Sequence, residues 1–403
     1  MRPVIFINRT YWPNEQATAQ LLTDLAAGLA ASGRQVSVLT SVVPGRPARE
    51  EHRGVSIFRV GSSLRSRRRG LLNQARTFLT FALAARRWVT AHLRPGAQVV
   101  ILSDPPLIGA SLLTLLQQQS AVCHHWIHDI YPEIAMDRLR LPGLKWLQPW
   151  RDRAWLHADT CVTVSESMAT VIRSRGVPAN RVRVLSNWAP QQVEPPDPRA
   201  VAAWRQDNGL SGGFIVGYSG NLGRVHTFET LVAAADLLRN DARFRFVFIG
   251  DGAQRSAVER DLARRKLKTV RFLPSQPREV LPVALSAIDL HLVCQRPGCE
   301  AWVFPSKLYG IAAVGRPVLS IGSPDAEFGR LVVQNRFGWH HATTDVEGVA
   351  ATLRDFAGSS SRREEAATAA REFHRTAGGF ERALADWSAL LGARDSRPPT
   401  GPV

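Results

Sequence analysis

Ser306 and Lys307 stand at the head of the run Phe304 to Val318, FPSKLYGIAAVGRPV, where a loop gives way to a short helix that Gly315 ends. A serine N-cap followed by lysine would place unpaired backbone N–H groups and a cation at one helix start, an arrangement suited to an anion. Upstream, GYSGNLGR at 217–224 also leaves a strand-like run and enters a helix. There Gly220, Asn221 and Gly223 would let backbone N–H groups approach a phosphate closely, and Arg224 adds charge. Gly250-Asp251-Gly252 ends the next strand at the same kind of edge. The spacing is neither GxGxxG nor a GKS/GKT loop, which disfavours a dehydrogenase or a mononucleotide kinase. Two anion-type loops in one half of the chain point to a nucleotide-sugar site.

In the first half, His128-Asp129 closes a strand-like run and Tyr131-Pro132-Glu133 follows. A histidine at a strand's C-terminal edge, with Asp129 and Glu133 beside it, can orient a hydroxyl or shuttle a proton. The loop TYWPNEQATAQ (10–20) leaves the first strand and shares that edge, and Ser165 reads as a helix N-cap.

These residues need strand ends to hold them, and the chain supplies such ends twice. VIFIN, QVSVLTS, VSIFRV, QVVILS, AVCHHWIHD, CVTVS and VRVLSN read as strands, with helices over 16–31 and about 70–93. Residues 189 to about 212 form the one proline-rich, glycine-flanked break and read as an interdomain linker. The alternation then restarts with FIVGYSG, FRFVFIG, VRFLP, DLHLV and PVLSIG, and the last helix, near Phe380 to Leu391, comes after the second sheet is complete. Strands alternating with long helices imply an α/β protein with two doubly wound parallel sheets. The expected boundaries are an N-terminal domain at 1–190, a linker at 191–212 and a second domain at 213–376. A last helix at 377–392 and a disordered tail at 393–403 would follow.

The formal net charge is +17, and it is uneven: between Glu51 and Asp104 arginine recurs ten times without one acidic residue. Such a field suits an anionic membrane or a nucleic acid, although no nucleic-acid-binding signature accompanies it. The stretch 70–93 reads as an amphipathic helix, preceded by Arg67, Arg68 and Arg69 and carrying Phe78, Phe81 and Trp88. It suits the headgroup layer of an anionic membrane, or else a sheet-packed helix with a basic edge. KWLQPWRDRAW (145–155) mixes tryptophan and arginine similarly, and core packing is expected for it. The four cysteines show no CxxC pair, which implies neither a disulfide framework nor a metal and fits a reducing cytosol. MRPVIFIN starts directly on a strand, with no signal peptide, and no apolar run approaches the roughly 18–20 residues that span a bilayer.

Taken together, YWPNEQATAQLLTDLAAGLAASGRQVSVLTS, IHDIYPE, TVSESMATVIRSRGVPANRVRVLSNW, GYSGNLGR…FVFIGDG and PSKLYGIAAVGRPV resemble the family-four glycosyltransferases. The last stretch is similar to a bacterial capsule, O-antigen and exopolysaccharide branch, fucosamine-transferase-like. The resemblance implies a GT-B fold, two Rossmann-like doubly wound parallel-sheet domains facing across a cleft, with the last helix crossing back. It implies a retaining, metal-independent hexosyl transfer with no cofactor, from a UDP-linked donor in the second domain to a polyprenyl-diphosphate-linked saccharide. The enzyme would work peripherally on the cytoplasmic face of the inner membrane. Gly220, Asn221 and Gly223 would cradle the diphosphate, Lys307 would add a cation, and His128 would lie near the anomeric centre. The family's two glutamates, eight apart, correspond here to Trp302 and Gly310, so Glu300 or Glu327 would have to substitute. The usual arginine and lysine of the diphosphate loop correspond to Asn221 and His226. A hydrolysing nucleotide-sugar 2-epimerase of the same fold, or an inactive accessory subunit, are the rival readings.

Overall fold

The computed structural model describes residues 2–63 and 71–393, grouped into two compact units. One unit holds the chain up to Leu185 together with the residues from Ala383 onward, and the other runs from Ser186 to Arg382.

The first unit is built on eight strands: β1 (Val4–Ile7), β2 (Val36–Ser41), β3 (Arg49–His52), β4 (Val55–Val60), β5 (Gln98–Leu102), β6 (Val122–Ile127), β7 (Thr160–Thr163) and β8 (Val182–Val184). Their order is β3-β4-β2-β1-β5-β6-β7-β8, parallel throughout except for β3, which runs antiparallel to β4. The strands β1 and β5 are almost uninterrupted apolar runs, and β6 is buried along its whole length despite His124 and His125, because helices cover both faces of the sheet. Edge strand β3, REEH, alternates exposed and half-buried residues and carries no apolar run, so periodicity did not reveal it. The helix Leu71–His92 lays Phe81, Ala85 and Val89 into a core with Ile7, Val99 and Ile101.

The second sheet has six strands, all parallel: β9 (Phe214–Ser219), β10 (Phe244–Ile249), β11 (Val270–Leu273), β12 (Leu290–Cys294), β13 (Val318–Gly322) and β14 (Gly338–Ala342), in the order β11-β10-β9-β12-β13-β14. An aromatic cluster of Phe214, Tyr218, Phe228, Phe244, Phe246 and Phe248 fills one side of it. The sheet extends one strand beyond PVLSIG, the last strand-like run read from the sequence. β14, GWHHA, adds a sixth strand whose two histidines hid its strand character, and His340 Nδ1 pairs with Ser320 Oγ of β13 at 2.9 Å.

The expected linker at 191–212 is not an open tether. It contains the helix Pro198–Asp207, whose N-cap Asp197 accepts from Arg199 N. Trp204 and Leu210 pack against Ile215 and Ile288, and Arg205 pairs with Asp289 at 2.7 Å. Proline at the start of that helix is compatible with it, because the first turn needs no N–H. The unit boundary falls earlier, after Leu185. Downstream, the helix Phe380–Gly392 buries Trp387 against Trp126, ring centroids 4.7 Å apart, and Leu391 O accepts from Gln98 Nε2.

Candidate functional site

In a doubly wound sheet the binding crevice lies at the C-terminal strand ends where the strand order reverses. In the second unit that switch falls between β9 and β12. The loop after β9 holds Gly220, Asn221 and Gly223, and the chain after β12 leads to Lys307.

Two glycines let the loops at this edge close on one another. Gly250 has φ +132°, and a Cβ there would sit 2.1 Å from Gly220 O. At Gly252, φ +157°, a Cβ would meet the Leu222 carbonyl at 2.5 Å. Leu222 N donates to Asp251 O, Tyr218 Oη to Asn221 O, and Gln254 Nε2 to the carbonyls of Gly223 and His226. Arg255, which the sequence did not single out, donates to Gly250 O at 3.0 Å.

Lys307 is the side chain this edge closes around. Its ammonium stands 3.5 Å from the centroid of the Tyr218 ring, and a Cβ on Gly220 would lie 3.0 Å from Nζ. The side chain as a whole is half-buried, yet Nζ is shut off from solvent and has no hydrogen-bond partner among the described residues. Desolvation lowers its pKa to about 7. The neighbouring His226 is held neutral, its pKa lowered to about 3 by burial and then by Lys307, with Nδ1 2.7 Å from Cys294 O. The site therefore offers one poorly solvated cation beside a glycine loop, which is what a diphosphate would neutralise.

Ser306 departs from its expected role. It has helical φ and ψ and its side chain makes no capping hydrogen bond, so the helix Lys307–Ala313 starts without a serine cap. Asn221, Arg224 and Asp251 are exposed at the loop tips. Glu300 is held at the end of β13, accepting from Ser323 Oγ at 2.6 Å and Ser323 N at 3.2 Å. Glu327 lies half-buried in the first turn of the helix Glu327–Gln334.

In the first unit the switch falls between β1 and β5. Ser103 Oγ, just past β5, accepts from both His128 N and Asp129 N at 3.3 Å, which sets the turn after β6. Asp104 pairs with Arg9 Nε at 2.9 Å, and the Arg9 guanidinium covers the Phe78 ring. Burial and then the nearby Asp104 carboxylate raise Asp129 to about pKa 6. His128 packs on Trp126, centroids 4.6 Å apart. Glu133, expected among the reacting groups, is turned elsewhere. Arg151 grips both its oxygens at 2.7 and 3.0 Å, and Gln148 Nε2 donates to Oε1 at 2.8 Å. Ser103, Asp104, Arg9 and Arg151 were not singled out in the sequence, because their neighbours come from distant strands. Ser165 does cap its helix, accepting from Met168 N.

The expected membrane-facing residues divide. Arg67, Arg68 and Arg69 lie outside the described residues. Phe78 and Trp88 are half-buried rather than presented outward: Trp88 packs between Phe58 and His92, because the apolar stripe of this helix is needed against the sheet. The stretch 145–155 also differs from its expectation. Trp155 is buried, whereas Trp146 and Trp150 are 63% and 62% exposed.

Two doubly wound units, one of eight strands and one of six, are the GT-B architecture. Residues 18–190 match the family model Glycosyltransferase Family 4, and 213–358 match the model Glycosyl transferases group 1. The chain has the GT-B fold, and its two halves are similar to glycosyltransferase domains. It is similar to the putative colanic acid biosynthesis glycosyl transferase WcaI of Escherichia coli K12, 34% identical over 62% of this chain and 61% of that protein. Sucrose-phosphate synthase from Thermosynechococcus elongatus has the same fold, with TM-score 0.78 and 18% identity over 97% of this chain and 98% of that one. So does Anabaena Alr3699/HepE, solved with UDP-glucose, with TM-score 0.74 and 14% identity over 97% and 100%. Among the described residues no helix is long and apolar enough to cross a membrane.

Proposed function

We propose that this protein moves a hexosyl group, with retention, from a uridine-diphosphate sugar to a polyprenyl-diphosphate-linked saccharide. The product would serve assembly of a bacterial surface polysaccharide, at an anionic membrane surface. The observation that carries the reading is the ammonium of Lys307 against the Gly220 loop, shut off from solvent and without a hydrogen-bond partner among the described residues. The name of the WcaI relative supports the polysaccharide setting, and the UDP-glucose complex of HepE supports the donor class.

In the reaction the bond between the anomeric carbon and the diphosphate oxygen breaks. The acceptor oxygen forms the new bond to that carbon, and the acceptor's proton must leave. Lys307 and the glycine-loop N–H groups meet the charge that develops on the diphosphate, a stabilisation that needs no metal. On the acceptor side Asp129 is the group suited to hold the departing proton, because a carboxylate with a raised pKa is a stronger base. Glu133 acts as a positioning residue, anchoring the turn that follows Asp129 through Arg151.

Transfer should rise with pH through about 6 as Asp129 ionises. In Asp104→Asn a like charge is removed and Arg9 loses its counter-charge; both favour ionised Asp129, so the midpoint falls. The same shift makes a contribution to stability with the opposite sense. The folded state holds the Asp129 proton more tightly, so this contribution is full below the ordinary carboxylate value and is lost as pH rises through about 6. A kcat/KM–pH profile of parent and variant checks both points; an unmoved midpoint would remove Asp129 from the acceptor chemistry.

The deciding experiment is radiolabel transfer from UDP-, GDP- and dTDP-sugars into butanol-extractable lipid, with polyprenyl-linked saccharide acceptor and EDTA present. Label from the UDP-sugar alone is expected. Label from another donor overturns the base, loss of transfer in EDTA overturns the metal-free mechanism, and release of free sugar without an acceptor supports the hydrolysing epimerase. No transfer and no donor protection against thermal unfolding would leave the accessory-subunit reading.

A further inference from the structure

Large apolar side chains that remain exposed in the described residues concentrate on one unit. Trp146 and Trp150, in the turn Pro142–Leu147 and the helix start that follows it, are 63% and 62% exposed, and Leu141 just before that turn is 48% exposed. Two indoles four residues apart, each with most of its surface in water, are costly to leave unpartnered in an ordinary surface.

The charges around them have one sign. Arg140, Lys145 and Arg153 are exposed, and there is no acidic residue between Asp137 and Asp152. Asp152 itself is engaged, by Arg151 at 2.6 Å. The helix Gln148–His157 packs on the helix Ile108–Gln118, which in turn packs on Leu71–His92. That third helix adds Leu79 and Leu83, 61% and 50% exposed, beside exposed Arg86 and Arg87.

We propose that residues 140–153, with Trp146 and Trp150 at the centre, form the surface on which this protein docks to an anionic phospholipid membrane. Indole rings are at home in the headgroup layer, apolar in body with one N–H donor, and lysine and arginine beside them meet lipid phosphates. A second copy of the chain fits this patch less well, since an isologous contact would set one basic patch, with Arg140, Lys145 and Arg153, against another of the same sign. The patch begins eleven residues after Asp129, on the chain that leaves the C-terminal end of β6. Docking there would bring the bilayer to the strand edge that carries the acceptor-side groups. The inference locates the membrane contact of the proposed function and rests on that reading only for its purpose.

The test uses the full chain and vesicles of phosphatidylglycerol with phosphatidylethanolamine, with pure phosphatidylcholine vesicles as the contrast. Co-sedimentation is expected with the anionic vesicles and is expected to weaken as salt is raised. Trp146→Ser/Trp150→Ser should lower that partitioning by roughly tenfold or more, and brominated lipid should quench the parent's fluorescence more than the variant's. Thermal protection by UDP should be the same in both, which shows that the variant is folded. Equal partitioning of parent and variant, or no partitioning of the parent, overturns the proposal. So does a parent dimer that the substitutions convert to monomer, which would assign the patch to a second copy. Vesicle binding needs no donor, so a failed transfer assay leaves this result readable, and loss of UDP protection in the parent would count against the transferase reading alone.

Discussion

Replacing Lys307 with methionine is expected to lower sugar transfer by about a hundred- to a thousandfold, the usual cost of removing one preorganised charge from a reacting oxyanion. The empty protein should be at least as stable as the parent. In the parent, Nζ is buried without a hydrogen-bond partner among the described residues, relieved only by the Tyr218 ring at 3.5 Å. Its pKa is lowered to about 7 by desolvation, so folding favours the neutral amine. The unfolded chain binds the proton more tightly; stability therefore rises with pH from about 7 toward the ordinary lysine value, and the full penalty is present below 7. Methionine fills a similar volume without the charge, so its gain should be largest at acidic pH. Donor affinity in the parent should decline above pH about 7, because binding the diphosphate must then draw a proton onto Lys307. Calorimetric titration with UDP in two buffers of different ionisation enthalpy reads that proton directly. Thermal melts at pH 6 and pH 9 read the stability side. A methionine variant that transfers sugar at the parent rate would remove Lys307 from the donor site.

The second large effect is structural. Arg151→Met should destabilise the protein by about 3–5 kcal/mol, because it leaves the Glu133 carboxylate buried and without its main partner. Side chains of this pair are only 6% and 8% exposed. Arg151 also donates to Tyr131 O at 2.7 Å and lies over the Trp155 ring at 4.0 Å, so the loss reaches the turn that carries Asp129. Adding Glu133→Leu to the same chain should recover much of the stability, since the most buried charge goes with its partner, while Asp152 and Arg175, which each lose a neighbour, still stand 3.9 Å apart. Urea unfolding of the two single variants and the double variant measures the coupling. If the double variant folds and still transfers sugar, Glu133 is a positioning residue. If it folds and is inactive with Asp129 intact, the carboxylate itself takes part in the reaction.

The membrane-facing reading shows where pattern alone goes astray. The stripe Phe78, Phe81 and Trp88 has the composition of an interfacial helix, but a helical stripe is equally what a sheet-covering helix needs. Phe81 is completely buried in the core of the first unit. The Trp–Arg mixture at 145–155 has no clear period, and only packing shows that Trp155 turns inward while Trp146 and Trp150 do not. The hidden helix at Pro198–Asp207 follows the same logic: prolines mark breaks in a sequence, yet one of them serves as the first residue of a helix.

The two alternating α/β halves, the strand ends that carry His128-Asp129 and Gly250-Asp251-Gly252, and the glycine loop at 217–224 were legible in the order of residues alone. These are local: apolar runs, helix stops and glycine turns act over a few residues, so they can be read without knowing the neighbours. Packing brought β14 into the second sheet, turned Glu133 to Arg151, and raised the proton affinity of Asp129 through burial and then the nearby Asp104 carboxylate. It also decided that Lys307 reaches the Gly220 loop, 87 positions earlier in the chain. Those outcomes depend on desolvation and on which charge lies nearest, and both are properties of the packed neighbourhood rather than of the residues on either side.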